Sequence, residues 1–334
     1  MTTLTCLTWK FSKMSSTNEW SKLRSVVVGV ADNAKIPELE VSLRCVNFAD
    51  RQDTSSIRTG AYPKQVVEEA NEDLDIFCDF LKGENVEVLR PERTDCKYYN
   101  YCPRDSVFIY HDFTIATPMP IKARKGEWKA FQGHLKNTIE ITENHSDELY
   151  NLNCVGNKDI LALNELQPAF DAANIIRADG DILYQVSNSG NELGATLLQE
   201  VLGSSTHVRL LKDVYSYMHI DSTIAFLQEG LLLANPSRIK NKDDLPEPFS
   251  HWDIIFAPEP VDVGHYKGIC SSSVWTWNLN LFSVNENLVA LEEHQHPTRK
   301  LLEARGIECA MLPMRHARTL GGCFHCVTLD LERG

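Results

Sequence analysis

No stretch of this 334-residue chain comes near the ~18 consecutive apolar residues that a membrane-spanning helix needs; the longest, such as Leu231-Leu232-Leu233-Ala234, are strand-sized. A basic surface is missing too. The chain has 33 Lys and Arg against 46 Asp and Glu, a formal net charge of −13, and no basic cluster exceeds a pair or a triple such as Lys122, Arg124 and Lys125. That argues against a nucleic-acid partner and is compatible with a cationic substrate. No Pro/Gly/Ser-rich linker divides the chain, so no two-domain boundary is visible. Gly190 opens a helical stretch, but no phosphate-loop lysine follows it. Cys323-Phe324-His325-Cys326 is a lone C-x-x-C, without the second pair that a structural zinc requires, and Val327 stands where a haem-attachment motif needs histidine. His294-Gln295-His296 reads as a solvated loop rather than a metal site.

What is present is an apolar fraction of 43%, ample for a large core, and ten scattered cysteines, read as free thiols of a reducing, cytoplasmic compartment. The first eighteen residues hold Lys10 and Lys13 and no acid. Without an apolar core they are not a secretory signal; a transit peptide and a start at Met14 both stay open. Residues 1–17 are expected to be a disordered extension, and 18–334 one catalytic domain.

Patterning alternates strand, helix and strand. Val26–Val30 is a β-branched run. After Pro63, Val67, Ala70, Leu74, Phe77 and Leu81 recur at helical steps, ending at Gly83. Hairpins are expected at Val107–Tyr110 with Thr114–Ala116, at Ile175–Ala178 with Ile182–Val186 around Asp179-Gly180, at Thr223–Phe226 with Leu231–Leu233, and at Leu279–Phe282 with Val289–Leu291. Helices are expected near 126–138, 191–202 and 297–305, with further strands near Val208–Leu210, Ile254–Phe256 and Cys309–Leu312. Four to five such modules point to an α/β chain closed radially, as in a propeller; a doubly wound sheet is the runner-up, opposed by the antiparallel hairpins.

Three segments could carry chemistry. Asp171 enters one module, and His219 with Asp221 enters another at an i, i+2 spacing that puts both on one face of a strand. Gly321-Gly322 precedes a cysteine at the last strand. In a radial arrangement these module entrances meet on the axis, bringing an acid, a histidine and a thiol together for nucleophilic catalysis. The plainer alternative is a capping Asp, a satisfied core His and a buried Cys.

Gly60-Ala61-Tyr62-Pro63, Tyr101–Asp105 (YCPRD), Phe170–Asn174 (FDAAN), Ser187–Gly194 (SNSGNELG), His219–Thr223 (HIDST), Asn235–Arg238 (NPSR) and Leu320–Cys326 (LGGCFHC) resemble, in order, the motifs of the arginine-dependent amidinotransferases. The likeness is closest to the inosamine-phosphate type and cyanobacterial toxin-pathway enzymes, with glycine amidinotransferase more distant. The resemblance implies a five-bladed α/β propeller of ββαβ modules with pseudo-fivefold symmetry. It places Cys326 at the nucleophile, His219 at the general acid/base and Asp171 at its carboxylate partner. Asp105 and Asp221 fall where the family grips the guanidinium, and Tyr99, Arg238 and Ser273 near the donor's carboxylate and the pocket wall. It implies L-arginine and a small amine as substrates, ping-pong transfer with release of ornithine, no metal or organic cofactor, and a possible homodimer.

An arginine deiminase- or dihydrolase-like hydrolase, marked by a second active-site histidine for which His325 and His316 are the candidates, and a non-catalytic binding protein with a relic site are the rival readings. Cys323 replaces the third glycine of the family's run, residues 120–128 depart from its usual stretch, and 139–165 is short. The Asp213–Met218 loop is expected to shape the acceptor half of the pocket. Cys323 is expected to form a reversible disulfide with Cys326 on mild oxidation, unless its thiol points away.

Overall fold

Five times along the chain an antiparallel strand pair gains a third strand running parallel to its second member. The first set is Val107–Tyr110, Phe113–Ala116 and Thr138–Glu140. The next are Ile175–Ala178, Asp181–Gln185 and His207–Leu211, then Ile224–Gln228, Leu231–Ala234 and Asp253–Phe256, then Phe282–Asn285, Leu288–Glu292 and Glu308–Leu312. The last joins the two ends of the chain: Thr328–Arg333 pairs antiparallel with Leu23–Val28, which pairs parallel with Glu87–Leu89. The computed structural model describes residues 15–92, 95–214 and 217–334.

Among the described residues the architecture is a mixed α/β fold of five separate three-stranded sheets and one two-stranded sheet. The parallel third strand of a set demands a crossover. Lys64–Gly83, Glu192–Leu202 and His296–Glu303 supply three of them as α-helices. The helix expected at 126–138 is instead a 3₁₀ run, Glu127–His134, broken at Phe131, whose φ of −130° is not helical. The strand expected at Leu279–Phe282 begins only at Phe282, because Thr276–Leu279 is a helical turn. Asn278 is tied down there, donating to Pro258 O at 2.7 Å and accepting from Thr298 at 2.8 Å. The Asp179-Gly180 turn is formed, with Asp179 in the left-handed region at φ 54°.

Of the expected N-terminal extension, residues 1–14, with Lys10, Lys13, Met14 and Cys6, lie outside the described residues. Ser15 and Ser16 make isolated β-bridges to Glu332 and His111. Ser15 bonds both ways with the last strand, and buried Ser16 donates to Asp330 at 3.0 Å.

The helix Lys64–Gly83 supports the segment that matters for chemistry. Its inner face is Val66, Ala70, Leu74, Phe77 and Leu81, with Val67 only half-buried. Phe77 meets Phe324 edge-on at 4.8 Å, and Phe324 is fully buried. A buried aromatic of this kind contributes roughly 1.5–3 kcal/mol. His316, a sequence candidate for a second active-site histidine, serves the same helix instead, with Nε2 2.7 Å from Glu69. Among the described residues no helix is long and apolar enough to cross a membrane.

Candidate active site

Each of the five sets is entered through a turn that precedes its leading strand, and these turns touch one another in succession. Asp105 ends the 3₁₀ turn before Val107. Asp171 caps the turn before Ile175, and His219 caps the turn that holds Asp221 and leads to Ile224. Asn280 follows the helical turn before Phe282, and Cys326 stands just before Thr328. The repeated topology therefore brings together five positions separated by up to 221 residues in the sequence.

His219 Nε2 lies 3.0 Å from Asp171 Oδ2, and its Nδ1 lies 3.8 Å from Asp105 Oδ1. The Cys326 thiol donates to Asp221 Oδ2 at 2.9 Å. Asp221 Oδ2 is also 3.1 Å from His325 Nδ1. Asn280 donates to Cys326 Sγ at 3.0 Å, while its own oxygen accepts the backbone N–H groups of Cys323 at 2.9 Å and Cys326 at 3.0 Å. One amide side chain thus fixes the loop and supplies a hydrogen bond that stabilises sulfur when it is negative.

The backbone around the thiol is specified by two glycines. Gly321, at φ 94°, ends the short helix Ala317–Leu320 in the left-handed region. A Cβ on Gly322 would sit 2.3 Å from Cys326 Cβ and 3.0 Å from the sulfurs of both Cys326 and Cys102, so no side chain fits. The third position of the run is roomier, and Cys323 fills it, fully buried.

Electrostatics set the resting protonation. Burial alone would push the His219 pKa down, but Asp105, the Asp171 hydrogen bond and Cys326 raise it well above the usual histidine value. The Cys326 thiol is held up by hydrogen bonding with Cys102, by burial and by the Asp221 charge, against a smaller opposing contribution from His219. Burial raises Asp171. Asp221 is lowered despite burial, because His325, His219 and Cys326 face it. Both directions favour imidazolium beside thiol at rest.

An open pocket, whose space of about 590 Å³ extends out into open solvent, borders these groups. Asp105, His219, Asp221 and Asn280 line it, with Tyr99 and Ser273 on its wall and Cys326 directly behind Asp221 and Asn280. The hydroxyl oxygens of Ser272 and Ser273 there are buried without a protein partner. Arg238 does not line it; its guanidinium donates to Ser222 O, Ser222 Oγ and Thr223 Oγ1, each at 2.8 Å, and so braces the turn that carries Asp221. Ser271, Ser272, Ser273 and Tyr217 also line a wider hollow of about 2340 Å³. Of the loop expected to shape the acceptor half, Asp213, Val214 and Tyr217 line that hollow, while Tyr215 and Ser216 lie outside the described residues.

Sequence reasoning missed Asn280, Cys102, Arg124 and Glu127. The first could have been found by asking what stands at the entrance of the one module left without a candidate. Among the described residues a metal-like grouping occurs only at Glu292, Glu293 and His294, none of which lines the cavity.

The thiol beside Cys326 is that of Cys102, whereas the Cys323 thiol is fully buried and its largest charged influence is Glu292. Mild hydrogen peroxide, reduced to two waters as two thiols lose their hydrogens, is therefore expected to link Cys102 to Cys326. Peptide mapping checks this: a Cys323–Cys326 peptide in its place restores the pairing expected from the sequence.

The chain is 35% identical over 343 residues to inosamine-phosphate amidinotransferase 1 of Streptomyces glaucescens, covering 96% of this chain and 97% of that protein. It is 30% identical over 349 residues to the L-arginine:L-lysine amidinotransferase of Pseudomonas savastanoi pv. phaseolicola, covering 96% and 95%. The solved structure of the inosamine-phosphate amidinotransferase from Streptomyces griseus superposes with a TM-score of 0.91 at 35% identity, over 96% of this chain and 97% of that one. No protein-family model matches. With this similarity running through nearly the whole of both chains, the chain belongs to the amidinotransferases, enzymes that transfer amidino groups.

Proposed function

We propose that this enzyme takes the amidino group of L-arginine onto Cys326, releases L-ornithine, and passes the group to a small amine in the making of a guanidino natural product. The observation that carries this reading is the convergence of His219, Asp105 and Asp221 on a single cavity, with the Asp171 carboxylate bonded to His219 and the Cys326 thiol bonded to Asp221 directly behind them. A guanidinium, with a pKa above ~12, enters as a cation and has a weakly electrophilic carbon. Asp105 and Asp221 hold it flat by charge-assisted hydrogen bonds. Its positive charge offsets the Asp221 charge that keeps the thiol protonated, so Cys326 loses its proton to water and attacks as thiolate. His219, already imidazolium, gives its proton to the departing nitrogen of ornithine. The amidino group stays on sulfur as a thiouronium cation. The acceptor amine then attacks it, His219 takes back a proton, and the thiolate leaves.

This is ping-pong kinetics, with both amines using one site in turn. The wider hollow joined to the cavity through Ser271–Ser273 and Tyr217 is the acceptor's route of entry. Lysine and an inosamine phosphate, named by the relatives, head the acceptor candidates. In this reading the five sheets are the blades of a five-bladed propeller and the entrance turns ring its axis.

Incubation with L-arginine and a panel of amines, followed by mass spectrometry, is the test. Ornithine together with a guanidino product, and parallel double-reciprocal plots, support the reading. Citrulline or ammonia appearing without any acceptor makes it a hydrolase instead.

A further inference from the structure

The segment 120–128, which departs from the family's usual stretch, contributes two buried ions to the site. Arg124 and Glu127 are both buried, and Arg124 lines the cavity beside Asp105. Arg124 Nη1 donates to Asp105 Oδ2 at 2.8 Å. Its Nε and Nη2 donate to Glu127 Oε2 at 2.9 and 2.8 Å. Its guanidinium carbon lies 4.9 Å from the Tyr99 ring centre and 5.7 Å from that of Tyr98. Three charge-assisted bonds and two aromatic rings therefore fix this side chain.

The consequence falls on Asp105. One of its oxygens is taken, while the other, Oδ1, is buried and has no hydrogen-bond partner. Oδ1 stands 3.8 Å from His219 Nδ1, outside hydrogen-bond range. The terminal torsion of a carboxylate is soft. Beside an imidazolium, a freely turning Asp105 would close that gap and spend both oxygens inside the protein. Arg124 prevents the rotation.

We propose that Arg124 is a positioning residue, held by Glu127, which fixes Asp105 so that Oδ1 stays free for the amidino group of the substrate. In this proposal the Asp105 contact carries most of what Arg124 does, so its effect falls chiefly on the guanidinium end of a ligand. An arginine that merely neutralised two buried acids would instead weaken every ligand alike, by loosening the whole pocket.

The proposal rests on arginine as donor, so the wild-type enzyme is assayed first for ornithine release. The KM for L-arginine is then compared with the inhibition constant of L-norvaline, which has the amino-acid end of arginine and no guanidinium. In Arg124→Gln the KM for arginine is expected to rise about 30-fold or more, while the norvaline constant stays within about threefold. Arg124→Lys keeps the charge but cannot fork between Glu127 and Asp105. It is expected to show the same split at about tenfold, and it decides the matter if the glutamine variant does not fold. Constants for arginine and norvaline that rise together, or an arginine KM that does not move, overturn the positioning role while the donor reading stands. A wild-type enzyme that releases no ornithine overturns the donor reading, and this proposal with it.

Discussion

Cys326→Ala is expected to release no measurable ornithine, a loss on the order of 10⁵-fold or more, because in the proposed mechanism the variant lacks the atom that carries the amidino group between substrates. The fold should survive. Asn280 keeps its two backbone bonds to residues 323 and 326, and only its contact to sulfur is lost. Asp221 keeps His325 at 3.1 Å and so retains a partner for its charge. Intact-protein mass spectrometry gives a direct reading. Wild-type protein mixed with arginine and no acceptor should gain the mass of one amidino group, localised to the peptide holding Cys326, and the alanine variant should gain none. Cys326→Ser separates shape from chemistry. Its hydroxyl can occupy the same place between Asp221 and Asn280, yet it ionises far less readily than a thiol and should be almost as inactive. Full transfer by the alanine variant would remove the covalent route.

The module order was readable because period and turn signals agree locally. The Asp179-Gly180 turn, the β-branched runs and the helix after Pro63 are each specified by residues close in sequence. Two elements failed for opposite reasons. Residues 127–134 have helical periodicity, but burial of Trp128 and Phe131 and the ion pairing of Glu127 with Arg124 impose tighter turns. At Leu279–Phe282 the apolar residues look like a strand, yet Asn278 just before them and Asn280 among them bind backbone groups and so belong to a turn. The pairing of the last strand with Leu23–Val28 had no local signal at all, because it joins segments some 300 residues apart.

The site divides along the same line. Asp171, His219 and Asp221 could be located by position, since each opens a module. The assignment of Cys326 over Cys323 came from the family resemblance, and the two differ in surroundings: the Cys326 sulfur meets Asp221 and Asn280, while Cys323 contributes its backbone N–H. Arg238 shows the converse. A family motif can locate a residue correctly in the chain while leaving open what it touches, and here its guanidinium braces Ser222 and Thr223. Arg124 was invisible because a lone arginine in a basic triple carries no sign that its partners are Asp105 and Glu127.

Asp171→Asn is expected to lower turnover by about 10⁴-fold without unfolding the protein, by analogy with the loss seen when a His loses its orienting carboxylate in a Ser–His–Asp triad. Asp171 is fully buried, so an amide of the same shape fits its site. What it cannot supply is the charge 3.0 Å from His219 Nε2. That charge, with Asp105, holds the His219 pKa well above the ordinary value although burial opposes it. The sign follows directly. A raised folded-state pKa favours a protonated His219 at neutral pH, which in the proposed mechanism readies it to give its proton to the leaving nitrogen. Removing the Asp171 charge takes away part of what opposes burial, so the pKa falls and the imidazolium is lost at a lower pH. The limb of the pH–rate profile on which activity declines as pH rises should therefore move to lower pH in Asp171→Asn, in addition to the drop in its height. A purely structural Asp171 would lower the plateau, or the melting temperature, and leave that limb in place. A loss of less than about tenfold with an unmoved limb assigns Asp171 to the turn it caps and leaves Asp105 as the carboxylate that controls His219.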